Sequence, residues 1–139
     1  LLCPLADIRQ EWNKVLFAGP PEQMRAIASW ASETEYPDIY FVSTNDMYFE
    51  IMPQGASKGN ALKTLCEYLN IPPANSVAIG DYYNDIELMR AAGHSIAMEN
   101  APKEVQVEAD EVTGSCMDGG VAQVLYRLID QYGEAKADA

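Results

Sequence analysis

The residues of this chain whose types and spacing could do chemistry fall in two short stretches. In VAIGDYYNDIELM, Val77 to Met89, an apolar run breaks at Gly80, and Asp81, Asn84 and Asp85 follow before a helical pattern begins. In SKGNAL, Ser57 to Leu62, a lysine follows a natural N-cap serine. The grouping Gly-Asp-x-x-Asn-Asp suits a hard cation, because Mg²⁺ prefers carboxylate oxygens and retained waters. Acids this close also repel unless a cation or a basic partner is near. Asn84 and Asp85 equally suit plain helix caps, which satisfy free N–H groups at the positive end of the dipole. Lys58 would sit in a first helical turn, where the dipole disfavours a cation, and Gly59 beside it is a poor helix former. A locally unfavourable choice is where function is expected. Lys58 is either a solvated surface lysine or a group directed at the same crevice as Asp81. In the second case it would hold a phosphate and neutralise a nearby carboxylate, as phosphoryl transfer requires.

Other reactive residues are less informative. His94, the single histidine, has no evident Ser or Cys nucleophile to activate and reads as structural or surface. Cys3, Cys66 and Cys116 have no metal-like spacing, and Cys66 reads as a small buried hydrophobe. Asn100 in IAMENAP could reach the rim of the crevice or cap the helix begun by Pro102. Asp118-Gly119-Gly120 reads as a turn and cap, and Trp30 and the tyrosines as packing residues.

The elements that must position these residues follow from periodicity. KVLFA reads as a strand, residues 22–33 as an amphipathic helix after Pro20-Pro21, and IYFVSTNDMYFEIM as a hairpin turning at Asn45-Asp46. After PQGAS the texture changes. SKGNALKTLCEYLNI is a helix with Ala61, Leu62, Leu65, Cys66 and Leu69 on one face. SVAIG, HSIAM and EVTG are strands; NDIELMRAAG, APKEVQVEA and GVAQVLYRLIDQYG are helices, the first ending at a C-cap-like Gly93. Alternating strands and helices imply an α/β fold with a parallel sheet covered on both faces. In such sheets ligands gather at the carboxyl ends of the strands, and Asp81 is at that kind of position. A boundary is expected near residues 53–56, separating 1–54 from 55–139, and the final EAKADA is expected to fray.

Composition narrows the function. With 48% hydrophobic and 22% charged residues the chain is of the soluble globular kind, about one domain in length. A net charge of -12 argues against nucleic acid or an anionic membrane as partner, since both need clustered Lys and Arg. A carboxylate-held cation could still reverse the local field for an anionic substrate. No run approaches the roughly 20 apolar residues of a membrane span, and LLCPLADIRQ does not resemble a signal peptide. The sparse, unpatterned cysteines fit a cytoplasmic setting.

Taken in order, SKGNAL, then VAIGDYYNDIELMRAAGHSIAMENAPKEVQVEADEVT, then DGGVAQVL resemble the haloacid-dehalogenase-like superfamily, specifically its Cof-type sugar-phosphate phosphatases. The resemblance covers about residues 50–130 and extends more weakly to residues 1–53, which look like the later part of that family's α/β cap domain. It implies a partial Rossmann-like core preceded by part of a cap, a phosphorylated small-molecule substrate and Mg²⁺. It implies that Lys58 orders the nucleophile and the phosphoryl group, that Asp81 binds Mg²⁺ directly and that Asp85 supports the metal's water shell. Asn84 would contact phosphate or the lysine, with Asn100 a secondary member of the rim.

The chain also departs from that pattern. The family's chemistry starts at an aspartate nucleophile followed two residues later by an acid/base aspartate, and a Ser or Thr after the next strand holds the phosphate. No Asp-x-Asp precedes Lys58, since Asp7 is followed two positions on by Arg9. The expectation is a fragment of a longer chain, with negligible turnover by itself. The strand that carries the missing pair lies, in the family, beside the one ending at Asp81. Exposed strand edges, self-association and need of the missing N-terminal part are therefore expected. The competing reading is a non-catalytic α/β binding or assembly module that retains the fold. A flavodoxin-like receiver fits the alternation but not the order Lys58 to Asp81, and no Gly-rich phosphate loop supports it.

Overall fold

The computed structural model describes residues 13–33 and 35–133. The segment with Cys3 and Asp7, and the tail expected to fray, lie outside the described residues. The chain divides into two units, Leu1–Gly55 and Ala56–Ala139, each taken by itself below.

In the first unit, β1 (Val15–Ala18), β2 (Ile39–Asn45) and β3 (Tyr48–Pro53) form an antiparallel sheet in the order β1-β3-β2. Between β1 and β2 runs α1 (Pro21–Ser32), started by a proline whose missing N–H costs nothing in a first turn. Its Met24 and Ala31 are buried with Phe49, and Ile27, Ala28 and Phe41 pack around them. Of the aromatic residues Phe49 is buried; Phe41 stacks on it at 6.0 Å and meets the half-exposed Trp30 edge-on at 6.3 Å. The hairpin turns where its polar pair predicts, because the Asn45 side chain accepts the Met47 N–H at 2.8 Å, an Asx turn.

The second unit is a parallel sheet in the order β4 (Val77–Gly80), β5 (His94–Met98), β6 (Glu111–Thr113). Preceding it is α2 (Lys58–Leu69). Ser57 caps this helix, its hydroxyl accepting the Asn60 N–H at 3.3 Å, and Asn70 ends it in the left-handed conformation at φ 54°. A 3₁₀ turn, Tyr83–Asp85, leads from β4 into α3 (Ile86–Ala91). The helix after β5, α4, is only Lys103–Gln106, shorter than its periodicity suggests. A 3₁₀ turn, Cys116–Asp118, and Gly119 at φ 70° precede α5 (Gly120–Tyr132). Ala78, Ala97, Met89, Ala101 and Val105 bury one face of the sheet against α3 and α4. The opposite face, with Ile96 and Met98, meets α5 at Gly120, where a Cβ would lie 3.0 Å from the Met98 side chain; Val124 of the same helix is buried.

Two sequence expectations change here. Gly59 has a packing reason: a Cβ on it would stand 2.5 Å from the Glu87 carbonyl oxygen, so only glycine lets α2 approach α3 this closely. Gly93 does not end α3 in a left-handed cap. The helix closes at Ala92, and Gly93 donates its N–H to Ser76.

Candidate active site

The fold places Asp81, the 3₁₀ turn and the N-terminus of α2 together beyond the carboxyl end of β4. Asp85 is the organising residue. Its side chain is 7% exposed, and one carboxylate oxygen, Oδ1, accepts the Lys58 ammonium. The other, Oδ2, accepts the backbone N–H groups of Asp81 at 3.0 Å and Tyr82 at 3.3 Å. A buried carboxylate is tolerable because both oxygens are engaged by charge or by backbone donors. Gly80 makes room for it: a Cβ there would lie 2.5 Å from the Asp85 Cβ. Lys58, 51% exposed, is thus anchored by its tip while its flank stays open to solvent.

This settles the local question at Asp85. It forms no side-chain cap on α3; its carboxylate reaches backward and fixes the turn that carries Asp81. The Asp81 carboxylate takes no hydrogen bond or ion pair among the described residues, and the residue is exposed. Asn84, half-buried on the same turn, likewise has no hydrogen bond from its amide among the described residues.

Lys58, Asp81 and Asp85 line one cleft of about 440 Å³, whose other walls include Ile79, Met98 and Val121. Asn84 and Asn100 are not in that wall. Asn100 does not cap α4, which has no side-chain cap; its Oδ1 accepts the Cys116 N–H at 2.8 Å and so ties the loop after β5 to the turn before α5. Cys116 lines the cleft as well. Residue spacing did not single it out, although loops following neighbouring parallel strands converge at their carboxyl ends, and that rule could have found it.

His94 is at the other end of the sheet, at the start of β5. Its ring nitrogens stand 3.6 Å from Asp110 and 3.7 Å from Glu111, a surface cluster remote from Asp81. Ser95 donates its hydroxyl and its N–H to the Asp110 carboxylate, both at 2.8 Å, and these bonds hold that carboxyl below its usual range. The Arg127 guanidinium does the same for Glu111.

As a cation site the constellation is partial. Asp81 offers an uncommitted carboxylate, whereas both Asp85 oxygens are engaged, and no group of three or more His, Cys, Asp or Glu side chains among the described residues could enclose a metal. The chemistry suits a hard ion held by one direct protein ligand on this side of the cleft, with the remaining ligands supplied from elsewhere.

Residues 5–125 match the family described as haloacid dehalogenase-like hydrolase. The chain belongs to that family. Among curated relatives, phosphatase YwpJ of Bacillus subtilis is 38% identical over 102 residues, 73% of this chain and 36% of the relative. A haloacid dehalogenase-like hydrolase from B. subtilis superposes with a TM-score of 0.77 at 34% identity, over 89% of this chain and 44% of that one. For SMU.1108c from Streptococcus mutans the TM-score is 0.82 at 26% identity, over 91% of this chain and 48% of that one. The chain therefore spans between about a third and a half of these three proteins. The α/β architecture with a parallel sheet and the Cof-type resemblance agree with these matches. No helix among the described residues is long and apolar enough to cross a membrane.

Proposed function

We propose that this chain is the part of a cytoplasmic Mg²⁺-dependent phosphatase that carries the lysine and one metal-binding carboxylate, acting on phosphomonoesters of sugars or similar small metabolites. The observation that carries this reading is the Asp85 tie, which presents Lys58 and a free Asp81 carboxylate to one cleft. Residues 1–54 are read as part of a cap domain and residues 55–139 as part of the hydrolase core. The partner is the rest of the parent polypeptide, and self-association through strand edges is the expected behaviour without it.

In this reading Lys58 pairs with a phosphoryl oxygen and with the nucleophile, and the ion pair with Asp85 keeps it aimed. Asp81 would hold Mg²⁺ directly and Asp85 would support its water shell; the cation's chemistry is to neutralise charge on the phosphoryl oxygens. The Asn84 amide is available to a phosphate oxygen. Asn100 acts on the rim through the Cys116 turn. A carboxylate outside this chain attacks phosphorus as the ester P–O bond breaks, and a neighbouring acid protonates the leaving alkoxide. Water then attacks the phosphorus of the aspartyl phosphate and releases inorganic phosphate. Because this chain has no Asp-x-Asp ahead of Lys58, it should turn over no substrate alone.

The test is hydrolysis of a panel of sugar phosphates by a parent polypeptide that includes an Asp-x-Asp strand, with Mg²⁺. Asp81→Ala there should lower kcat/KM by about a hundredfold or more, the scale of a lost electrostatic ligand. Full activity of that variant, or hydrolysis of no phosphomonoester by the parent, overturns the reading.

A further inference from the structure

In the second unit α2 and α3 close on each other at Gly59, where a Cβ would stand 2.5 Å from the Glu87 carbonyl oxygen. Beside that contact the two helices leave a groove of about 270 Å³, lined by Gly59, Asn60 and Lys63 from α2 and by Glu87, Arg90 and Ala91 from α3. It shares no residue with the cleft of Lys58 and Asp81. Its three charges are unevenly committed. Lys63 is exposed and makes no hydrogen bond or ion pair among the described residues. Glu87 is half-buried, and its carboxylate makes none either; it acts on Arg90, three residues on, only through the field. Arg90 gives its Nε–H to Glu108 at 2.8 Å, and its two terminal nitrogens make no ion pair among the described residues.

These commitments say what fits. The groove offers an unpaired ammonium and the open side of a guanidinium together with an unpaired carboxylate. A simple anion there would set its charge against Glu87, and a simple cation would set its charge against Lys63. A ligand that carries both charges pairs with both, each time through a charge-assisted hydrogen bond. Size narrows the class further. Pockets for drug-sized ligands run from about 300 to 1,000 Å³, so a groove of about 270 Å³ takes a molecule of amino-acid size rather than a nucleotide. Gly59 and Ala91 supply wall without polar side chains, against which a short aliphatic spacer can lie.

We propose that the groove between α2 and α3 binds a small zwitterion, a carboxylate and an ammonium joined by a short aliphatic spacer. Lys63 and Arg90 hold the carboxylate, and Glu87 holds the ammonium. The site does not rest on the phosphatase reading, because every residue in it belongs to the second unit as it stands. It lies next to the machinery of that reading all the same. Gly59 and Asn60 directly follow Lys58, and Glu87 is two positions past Asp85, so an occupied groove braces α2 and α3 beside the Lys58–Asp85 ion pair.

The probes are glycine, β-alanine and γ-aminobutyrate, which differ in spacer length, with propionate and propylamine as counterparts that carry one charge each. Each is titrated at neutral pH and low salt into the nitrogen-15-labelled 139-residue chain, followed by amide NMR shifts. The best zwitterion should shift the Gly59, Asn60, Glu87 and Ala91 amides saturably, with a Kd on the order of 1–10 mM, the range of a very small ligand. Propionate and propylamine should bind at least about tenfold more weakly, and Lys63→Gln should weaken the zwitterion by about tenfold or more. Glu87→Gln should abolish the advantage of the zwitterion over propionate, a change of selectivity that a merely structural role would not produce. Lys103→Gln, which alters an exposed lysine of α4, should leave every titration unchanged. No saturable shift at these amides with any of the three zwitterions, propionate binding as tightly as the best of them, or binding indifferent to Lys63→Gln overturns the proposal.

Discussion

Replacing Asp85 tests the architecture of the site more directly than replacing any residue that faces the cleft. In Asp85→Asn the side chain keeps its shape and one oxygen. If that oxygen stays with the Asp81 and Tyr82 N–H groups, the new amide NH₂ faces the Lys58 ammonium, and donor meets donor. A hydrogen bond to a charged group is worth about 1.5–3 kcal/mol, but Lys58 is half exposed and water can replace part of the loss. The expected cost is about 1–2 kcal/mol. In Asp85→Ala the Cβ over Gly80 remains, but the buried carboxylate is gone and both backbone donors lose their acceptor. At about 1 kcal/mol for each N–H the total reaches about 3–4 kcal/mol. Urea unfolding followed by circular dichroism reads this as a fall in midpoint at constant m. With m near 1.5–2 kcal/mol per molar, the alanine variant should lose about 2 M and the asparagine variant about 1 M. Lys58→Met in the wild-type and Asp85→Asn backgrounds should show coupling of about 1 kcal/mol. An asparagine variant as stable as wild type, or an alanine variant more stable than it, would mean that the carboxylate does not hold the turn.

Three further outcomes follow from the same geometry. Gly59→Ala should destabilise by about 1–2 kcal/mol in thermal unfolding despite a helix-propensity gain of about 1 kcal/mol, because the new Cβ meets the Glu87 carbonyl. Asp81→Asn should leave the urea midpoint unchanged, since its carboxylate holds nothing in the fold, while weakening Mg²⁺ binding measured by calorimetry in the parent polypeptide. Acid should unfold the second unit in part through Asp110. Its carboxyl is held below the usual value by the Ser95 bonds, so its contribution is complete above about pH 4 and is lost as pH falls through the lowered value. Differential scanning calorimetry of Ser95→Ala, which removes the hydroxyl bond and keeps the N–H bond, should show a shallower loss of Tm below about pH 4, and an unchanged slope would remove the hydroxyl bond as the main cause.

Much of the arrangement was legible in the sequence because it is local. Ser57 caps α2 and Asn45 turns the hairpin through bonds spanning at most three residues, and Pro21 opens α1 through its own fixed backbone angle. The strand-helix alternation from Val77 onward likewise dictated a parallel sheet, and with it the placing of Asp81 at a carboxyl end. What stayed hidden depends on contacts between distant segments. Gly59 read as a local misfit beside a functional lysine, and its reason lies 28 positions away at the Glu87 carbonyl. Asn100 was open between rim and cap; its actual partner, the Cys116 N–H, is 16 residues further on and leaves α4 uncapped. Asp85 could be assigned to a cap or to a metal from its neighbours alone, because nothing in its own stretch shows that the Lys58 ammonium meets it across 27 residues.

That last contact also orders the roles within the acidic turn. Of the two aspartates, the buried one is committed on both oxygens and the exposed one on neither. A cation drawn to this turn would find its direct ligand at Asp81. Competition at Asp85 would require breaking the bond that orients Lys58, so metal binding there and phosphate binding by the lysine would oppose each other. With the two roles on separate carboxylates, a cation and an anion could be held side by side, as the proposed phosphoryl-transfer cleft would need.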